Sequence, residues 1–200
     1  MRKIIALTHV TLDGVMQAVG GPDEDPSNGF EYGGWGAPFR DDAGGQSVRQ
    51  AVSAPFDLLL GRRTYEMFAD SWSSNYENPI GKAFNNATKY VVTRTLDHLE
   101  WNPSQRIDGD VVAQIRRLKA SDGADLQVWG SSVLLQTLIG AELVDEHRMW
   151  IYPVVLGKGK RLFADGVPGR NLNLLETHRM PSGVVLNVYR AAGPVARLKQ

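Results

Sequence analysis

Two segments of this 200-residue chain repeat one pattern: an apolar run, a glycine, then residues spaced as in a helix. In LLLGRRTYEMF, the run Phe56 to Leu60 is closed by Gly61, and Tyr65, Phe68 and Ala69 follow on one helical face. In LQVWGSSVLLQTL, Asp125 to Trp129 reads as a strand and Gly130-Ser131-Ser132 as a turn. Val133, Leu134, Leu138 and Ala141 then mark a helix. Short apolar strands alternating with helices require crossover connections, which lay the strands parallel and put helices on the sheet faces. Each corner also sets the free N–H groups of a helix start at the carboxyl end of a strand, where open α/β sheets bind anions. Taken singly, such a glycine also serves simply to end a strand, and the residues leave both readings open.

The flanking sequence extends the same architecture. Lys3 to Val10 reads as a buried strand turning at Thr-Leu-Asp-Gly, and Thr88 to Thr93 as a β-branched strand. A helix is expected from Asp42 to Ser53, closed by Pro55, and another after Asp110, an N-cap residue followed by Val111, Ile115 and Leu118 at helical spacing. Beyond Asp145 the segments EHRMWIYPVV, LNLLETHRM and GVVLNVYR are strands without intervening helices, and Pro181-Ser182-Gly183 is a hairpin turn. The expectation is an α/β fold over residues 1–200 as one domain, with a mixed, mainly parallel central sheet flanked by helices and an antiparallel C-terminal hairpin. GVVLNVYR is expected at an exposed edge, which a second copy would cover, giving a homodimer. Gly14 to Gly45 is too rich in Gly, Pro, Asp and Asn for a core element, yet carries Phe30, Tyr32, Trp35 and Phe39, so it is expected to fold over a pocket.

Composition narrows the chemistry. Lys and Arg number 22 and Asp and Glu 22, so no global field draws the chain to nucleic acid or an anionic membrane, and a small-molecule partner becomes the default. The basic stretch LGKGKRLF is then a solvated connection. Cysteine is absent and the four histidines have no paired spacing, which excludes thiolate chemistry and leaves no metal site to expect. The N-terminal apolar run is interrupted by Thr8, His9 and Thr11, unlike a signal-peptide core, and no stretch reaches the length of a membrane helix, so the cytoplasm is the expected compartment.

Arg62 and Arg63 follow Gly61 at a helix start, where cations are disfavoured, so they require an anionic partner. Arg94, just past a strand end, supplies a comparable cation. A ribose 2′-phosphate accounts for these charges better than a free ribose, which ranks NADP above NAD, while a solvated surface arginine accounts equally for Arg94 alone.

The segments TLDGVM, LLLGRRTYEMF, YVVTRTL, VWGSSVLLQTLIGAELVDEHRMWIYPVVLGKGKRLF and SGVVLNVYR together resemble the dihydrofolate reductase superfamily. Within it, the chain is similar to the branch containing the C-terminal reductase domain of bifunctional riboflavin-biosynthesis proteins. The resemblance spans nearly the whole chain. It implies NADPH bound with its adenosine end near Gly61, Arg62, Arg63, Thr64, Thr93 and Arg94, its pyrophosphate at Gly130, Ser131, Ser132 and Val133, and its nicotinamide flanked by Val10 and by Asp13 to Met16.

The chain departs from that pattern twice. Gly130 is followed by Ser131 and Ser132 rather than a second glycine, and the segment expected to hold a pteridine-binding carboxylate is the irregular WGAPFRDDAGG. Asp41 and Asp42 are the nearest acids, with helix-start acids complementing the dipole as the alternative reading. Asp13 is first a turn residue and, by the resemblance, stands at the pocket mouth, where it is the leading candidate to deliver the proton opposite the hydride. Trp35, Trp129 and Tyr152 are candidate pocket residues, and Trp72 shares their ambiguity with core aromatics. The expected activity is NADPH-dependent hydride transfer to a C=N or C=O bond of a pteridine- or aminopyrimidine-like or carbonyl compound. The alternative is a module that binds NADP as a sensor or store without turnover.

Overall fold

The computed structural model describes residues 1–195. Its centre is an eight-stranded sheet in the order β4-β3-β2-β5-β1-β6-β8-β7. The strands are β1 (Ile4–Thr11), β2 (Phe56–Gly61), β3 (Lys89–Val92), β4 (Ser104–Ile107), β5 (Asp125–Trp129), β6 (Glu146–Tyr152), β7 (Arg170–Arg179) and β8 (Val185–Pro194). β1 to β6 run parallel, while β8 is antiparallel to both β6 and β7.

Side-chain alternation divides the core in two, because successive residues of a strand point to opposite faces. Ile5, Leu7, Leu58, Leu60, Trp129 and Trp150 face one way and pack with α1 (Asp42–Ala51), α2 (Arg62–Trp72) and α3 (Pro79–Asn86). Ile4, Ala6, Val10, Leu59, Leu126 and Val128 face the other and pack with α4 (Val111–Ala120) and α5 (Ser132–Gly140). Burial of both faces is why these strands read as continuous apolar runs rather than as alternating ones.

Two elements escaped the sequence reading. β4 is four residues long, with Gln105 and Arg106 exposed, and so lacks an apolar run. α3 begins at Asn78-Pro79, where the asparagine side chain caps the Ile80 amide and the proline occupies the first turn. The edge assignment needs correction. GVVLNVYR is not the edge: β8 inserts between β6 and β7, so the outer strand is β7, with Leu174 and Leu175 exposed. β8 offers both its hydrogen-bonding sides to partners, whereas β7 pairs on one side only.

The Gly14 to Gly45 segment is ordered and carries a small core of its own. Val15, Ala18, Phe30 and Trp35 pack together against Tyr152, Val154 and Leu156. Gly33 is required there, since a Cβ would lie 2.2 Å from the Pro22 carbonyl oxygen.

Candidate functional site

The two glycine corners meet at the carboxyl edge of the sheet, because β2 and β5 are neighbours. They are stitched together: the Gly61 amide donates to Ser131 Oγ at 3.1 Å, and the Ser131 amide donates to Thr64 Oγ1 at 3.2 Å. Gly130 (φ +54°) and Ser131 (φ +50°) are both left-handed, a conformation that costs a serine strain and that its two cross-corner hydrogen bonds hold in place. Gly61, at φ −77°, needs no glycine for its backbone.

These corners differ from every other α-helix start among the described residues. α1, α3 and α4 are capped by the side chains of Asp41, Asn78 and Asp110. α2 and α5, on opposite faces of the sheet but with their starts cross-bonded at its edge, have no side-chain cap and no acid in the first turn. Ser131, the residue placed to cap α5, accepts the Gly61 amide on its hydroxyl oxygen instead. Two helix N-termini thus direct uncapped N–H groups and their positive dipole ends to one place, and α2 adds Arg62 and Arg63. Val133 is exposed at the same edge.

The arginines have partners of their own. Arg62 pairs with Glu66 one turn along at 3.0 Å, and Arg63 pairs with Asp25 of the long loop at 3.1 Å. Arg94 is exposed and makes no ion pair among the described residues. Thr93 is buried, and its hydroxyl accepts the amides of Thr95 and Leu96, shaping the turn that presents Arg94. Asp25 also pairs with Lys160 and bonds Ser27. Burial raises its carboxyl, but the Lys160 ammonium and the Ser27 hydroxyl outweigh that and hold it below its ordinary value. Glu24, Asp25, Pro26, Ser27, Arg63 and Glu66 line an open cleft of about 350 Å³ here.

Asp13, the candidate proton donor, lines a cleft with Val10 and already has its carboxylate engaged. Its carboxylate accepts from Thr11 Oγ1 and from the amides of Leu156 at 3.2 Å and Gly157 at 2.8 Å, with Arg161 at 3.6 Å. Desolvation raises its pKa, but the Thr11 hydroxyl and the two amides outweigh that and lower it overall, and the same bonds tie the β1 turn to the chain after β6. Asp41 is likewise committed: one oxygen caps Gly44 at 2.6 Å and the other accepts the Ser182 amide at 2.8 Å, which lowers its pKa. It cannot serve as a free pocket carboxylate, and Asp42 is an exposed first-turn acid of α1.

Among the aromatics, Trp129 is core: it is buried, stacks 6.0 Å from Trp150, and bonds Gln127 Oε1. Trp72 packs edge-on against Phe84. Trp35 donates to the Gln17 carbonyl at 2.7 Å and meets the Tyr152 ring edge-on at 5.1 Å. Tyr152 is half-buried, with its hydroxyl 2.9 Å from Nδ1 of His9, and burial pushes its pKa up to about 12. His9, which the sequence reading passed over, lies stacked 4.9 Å from Trp150, and burial pushes its pKa down to about 4. The signal available was alternation, which sets His9 on the face of Ile5 and Leu7. Val10 points to the opposite face and lines an apolar cleft of about 360 Å³ with Met149, Ile151 and Phe163. No group of three or more potential metal ligands occurs among the described residues, and no helix there is long and apolar enough to cross a membrane.

Comparison with known proteins agrees with this geometry. The family model of the RibD C-terminal domain matches residues 2–186. The uncharacterized protein YyaP of Bacillus subtilis (strain 168) is 30% identical over 200 residues, covering 96% of each chain. Among solved structures, a diaminohydroxyphosphoribosylaminopyrimidine deaminase/5-amino-6-(5-phosphoribosylamino)uracil reductase from Thermotoga maritima superposes with a TM-score of 0.63 at 13% identity, over 96% of this chain and 57% of that one. Dihydrofolate reductase from Enterococcus faecalis, complexed with NADP(H), superposes with a TM-score of 0.59 at 14% identity, over 94% and 96%. These two likenesses establish the dihydrofolate reductase-like fold.

Proposed function

We propose, since the chain belongs to the RibD C-terminal domain family, that it is a single-domain NADPH-dependent reductase acting on a small pteridine- or aminopyrimidine-like compound. The observation that carries this reading is the pair of uncapped helix N-termini at Gly61 and Ser131, cross-bonded at the carboxyl edge of adjacent parallel strands. Such an edge suits the phosphates of one dinucleotide.

The residues present fit the cofactor. The amides of the α5 first turn would hold the pyrophosphate. Arg62 and Arg94, with Arg63 once Asp25 yields it, would hold the adenosine end and its 2′-phosphate. When bound, NADPH supplies a hydride equivalent. The chain's own part is orientation and exclusion of water. The loop through Trp35 roofs Tyr152, and Asp25 ties that loop to α2 and to Lys160. Asp13 holds the edge of the site in shape through the Leu156 and Gly157 amides. We also propose that a second copy covers the exposed β7 edge, giving a homodimer.

The test is cofactor affinity. Arg62→Ala and Arg94→Ala are each expected to weaken NADPH binding by about tenfold and NADH binding far less, the size of one charge-assisted contact. Unchanged NADPH affinity in both variants would sink the reading.

A further inference from the structure

The aromatic wall between α1 and the long loop is built from β1, β5 and β6, and its polar atoms can be accounted for one by one. Trp35 donates to the Gln17 carbonyl, Trp129 to Gln127, and Trp150 to Ser47 Oγ at 2.8 Å, while the Ser47 hydroxyl donates to the Gly44 carbonyl. Asp41 is used by the Gly44 and Ser182 amides. Arg40 reaches the Gly20 carbonyl. The Tyr152 hydroxyl meets His9 Nδ1. Of the uncharged side chains here only His9 has a polar atom left over: Nε2 makes no hydrogen bond among the described residues and is not sealed from solvent, while the Arg40 guanidinium is held to Gly20 through one nitrogen. His9 keeps part of its surface open although Trp150 behind it is buried.

Hydrogen-bond accounting fixes which hydrogen Nε2 carries. A phenol O–H is the better donor and a neutral imidazole nitrogen the better acceptor, and the Tyr152 hydroxyl hydrogen has no other acceptor among the described residues. Tyr152 therefore donates to Nδ1, which leaves the hydrogen on Nε2. Burial keeps the ring neutral, so Nε2–H is a fixed, uncharged donor.

We propose that His9 is a substrate-reading residue that gives this hydrogen bond to the carbonyl oxygen of an oxo-substituted planar heterocycle, and that Tyr152 is the positioning residue that sets its tautomer. The proposal rests on the reductase reading above and names the kind of ring edge its organic subsite takes. A wall with a free carboxylate selects a ring that presents amino donors. This wall has spent its carboxylate on backbone amides and offers a neutral donor, so it selects an oxo-substituted edge over an amino-substituted one.

Two measurements test it. Nitrogen-15 NMR of the histidine rings in the free protein, with the His9 signals assigned by their loss in His9→Gln, is expected to show His9 with its hydrogen on Nε2, and Tyr152→Phe to convert it to a mixture. A hydrogen on Nδ1, or a tautomer unmoved by Tyr152→Phe, overturns the positioning role. Titration with 2,4-dioxopteridine and 2,4-diaminopteridine, with and without NADPH, is expected to favour the dioxo ring by about tenfold in the wild type. The preference should be lost in His9→Leu and kept in part by His9→Gln, which retains a donor. An equal preference in His9→Leu, or no binding of the dioxo ring, overturns the substrate-reading role. NADPH affinity, measured separately, reports on the cofactor reading, and its failure leaves the tautomer and ring-preference results to decide His9.

Discussion

Lys89 offers a test of how the fold tolerates a charge without a counter-ion. It is fully buried at the start of β3, and its Nζ donates to the carbonyls of Asn85 at 3.0 Å and Asn102 at 3.1 Å and lies 4.4 Å from the Trp101 ring centroid. No carboxylate lies within ion-pair distance of it among the described residues. Desolvation lowers its pKa from 10.5 to about 8. Between those values the unfolded chain binds more protons than the folded one, so the lysine's contribution to stability rises with pH there and is lost as pH falls through the folded value. At 1.36 kcal/mol per pKa unit the full effect is about 3 kcal/mol, of which about 2 kcal/mol develops between roughly pH 7 and pH 9.5. Lys89→Met keeps the apolar stem and removes the titration. It also leaves two carbonyls short of a donor, so its stability at pH 7 is a balance of opposing terms. The decisive quantity is therefore the difference between wild type and variant as pH changes. Urea unfolding of both proteins at the two pH values should show the wild type gaining about 2 kcal/mol relative to Lys89→Met. A difference constant within about 0.5 kcal/mol would refute the argument that burial penalises this ammonium.

Asp25→Asn should release Arg63 and strengthen NADPH binding by about threefold, measured by fluorescence titration, because the phosphate no longer competes with a carboxylate; weaker binding would mean that the loop tie builds the site. Asp41→Asn should lower the melting temperature at neutral pH, since Gly44 and Ser182 lose an ionised acceptor. The carboxyl is depressed in the folded state, so the deficit should be present at neutral pH and vanish as pH falls below the ordinary carboxyl range; a deficit independent of pH would rule out the charge as the cause. Leu174→Arg on β7 should shift the sedimentation equilibrium toward monomer, and a wild type that is already monomeric at high concentration removes the homodimer.

The sequence alone determined the parts that depend on near neighbours in the chain. Seven of the strands were legible as short apolar or β-branched runs, and Asp110 as the α4 cap, because periodicity and capping act within a few residues. Both glycine corners were legible for the same reason, and so was the need of Arg62 and Arg63 for an anionic partner. β4 was not, since its four residues carry no apolar run, and the place of β8 inside the sheet was not, since strand order is settled by which edges find partners.

Only the tertiary structure decided what each candidate side chain does. Asp13 and Gly157 are 144 residues apart, as Asp41 and Ser182 are 141 apart, and it is these long-range amides that turn two candidate pocket acids into structural acceptors. Asp25 reaches Arg63 across 38 residues, and Ser131 spends its hydroxyl on Gly61 rather than on its own helix. His9 and Tyr152 meet because β1 and β6 are in parallel register, 143 residues apart. A hydrogen bond is satisfied by whatever partner lies within about 3 Å, and proximity at that scale is a property of the packed sheet, not of the order of residues along it.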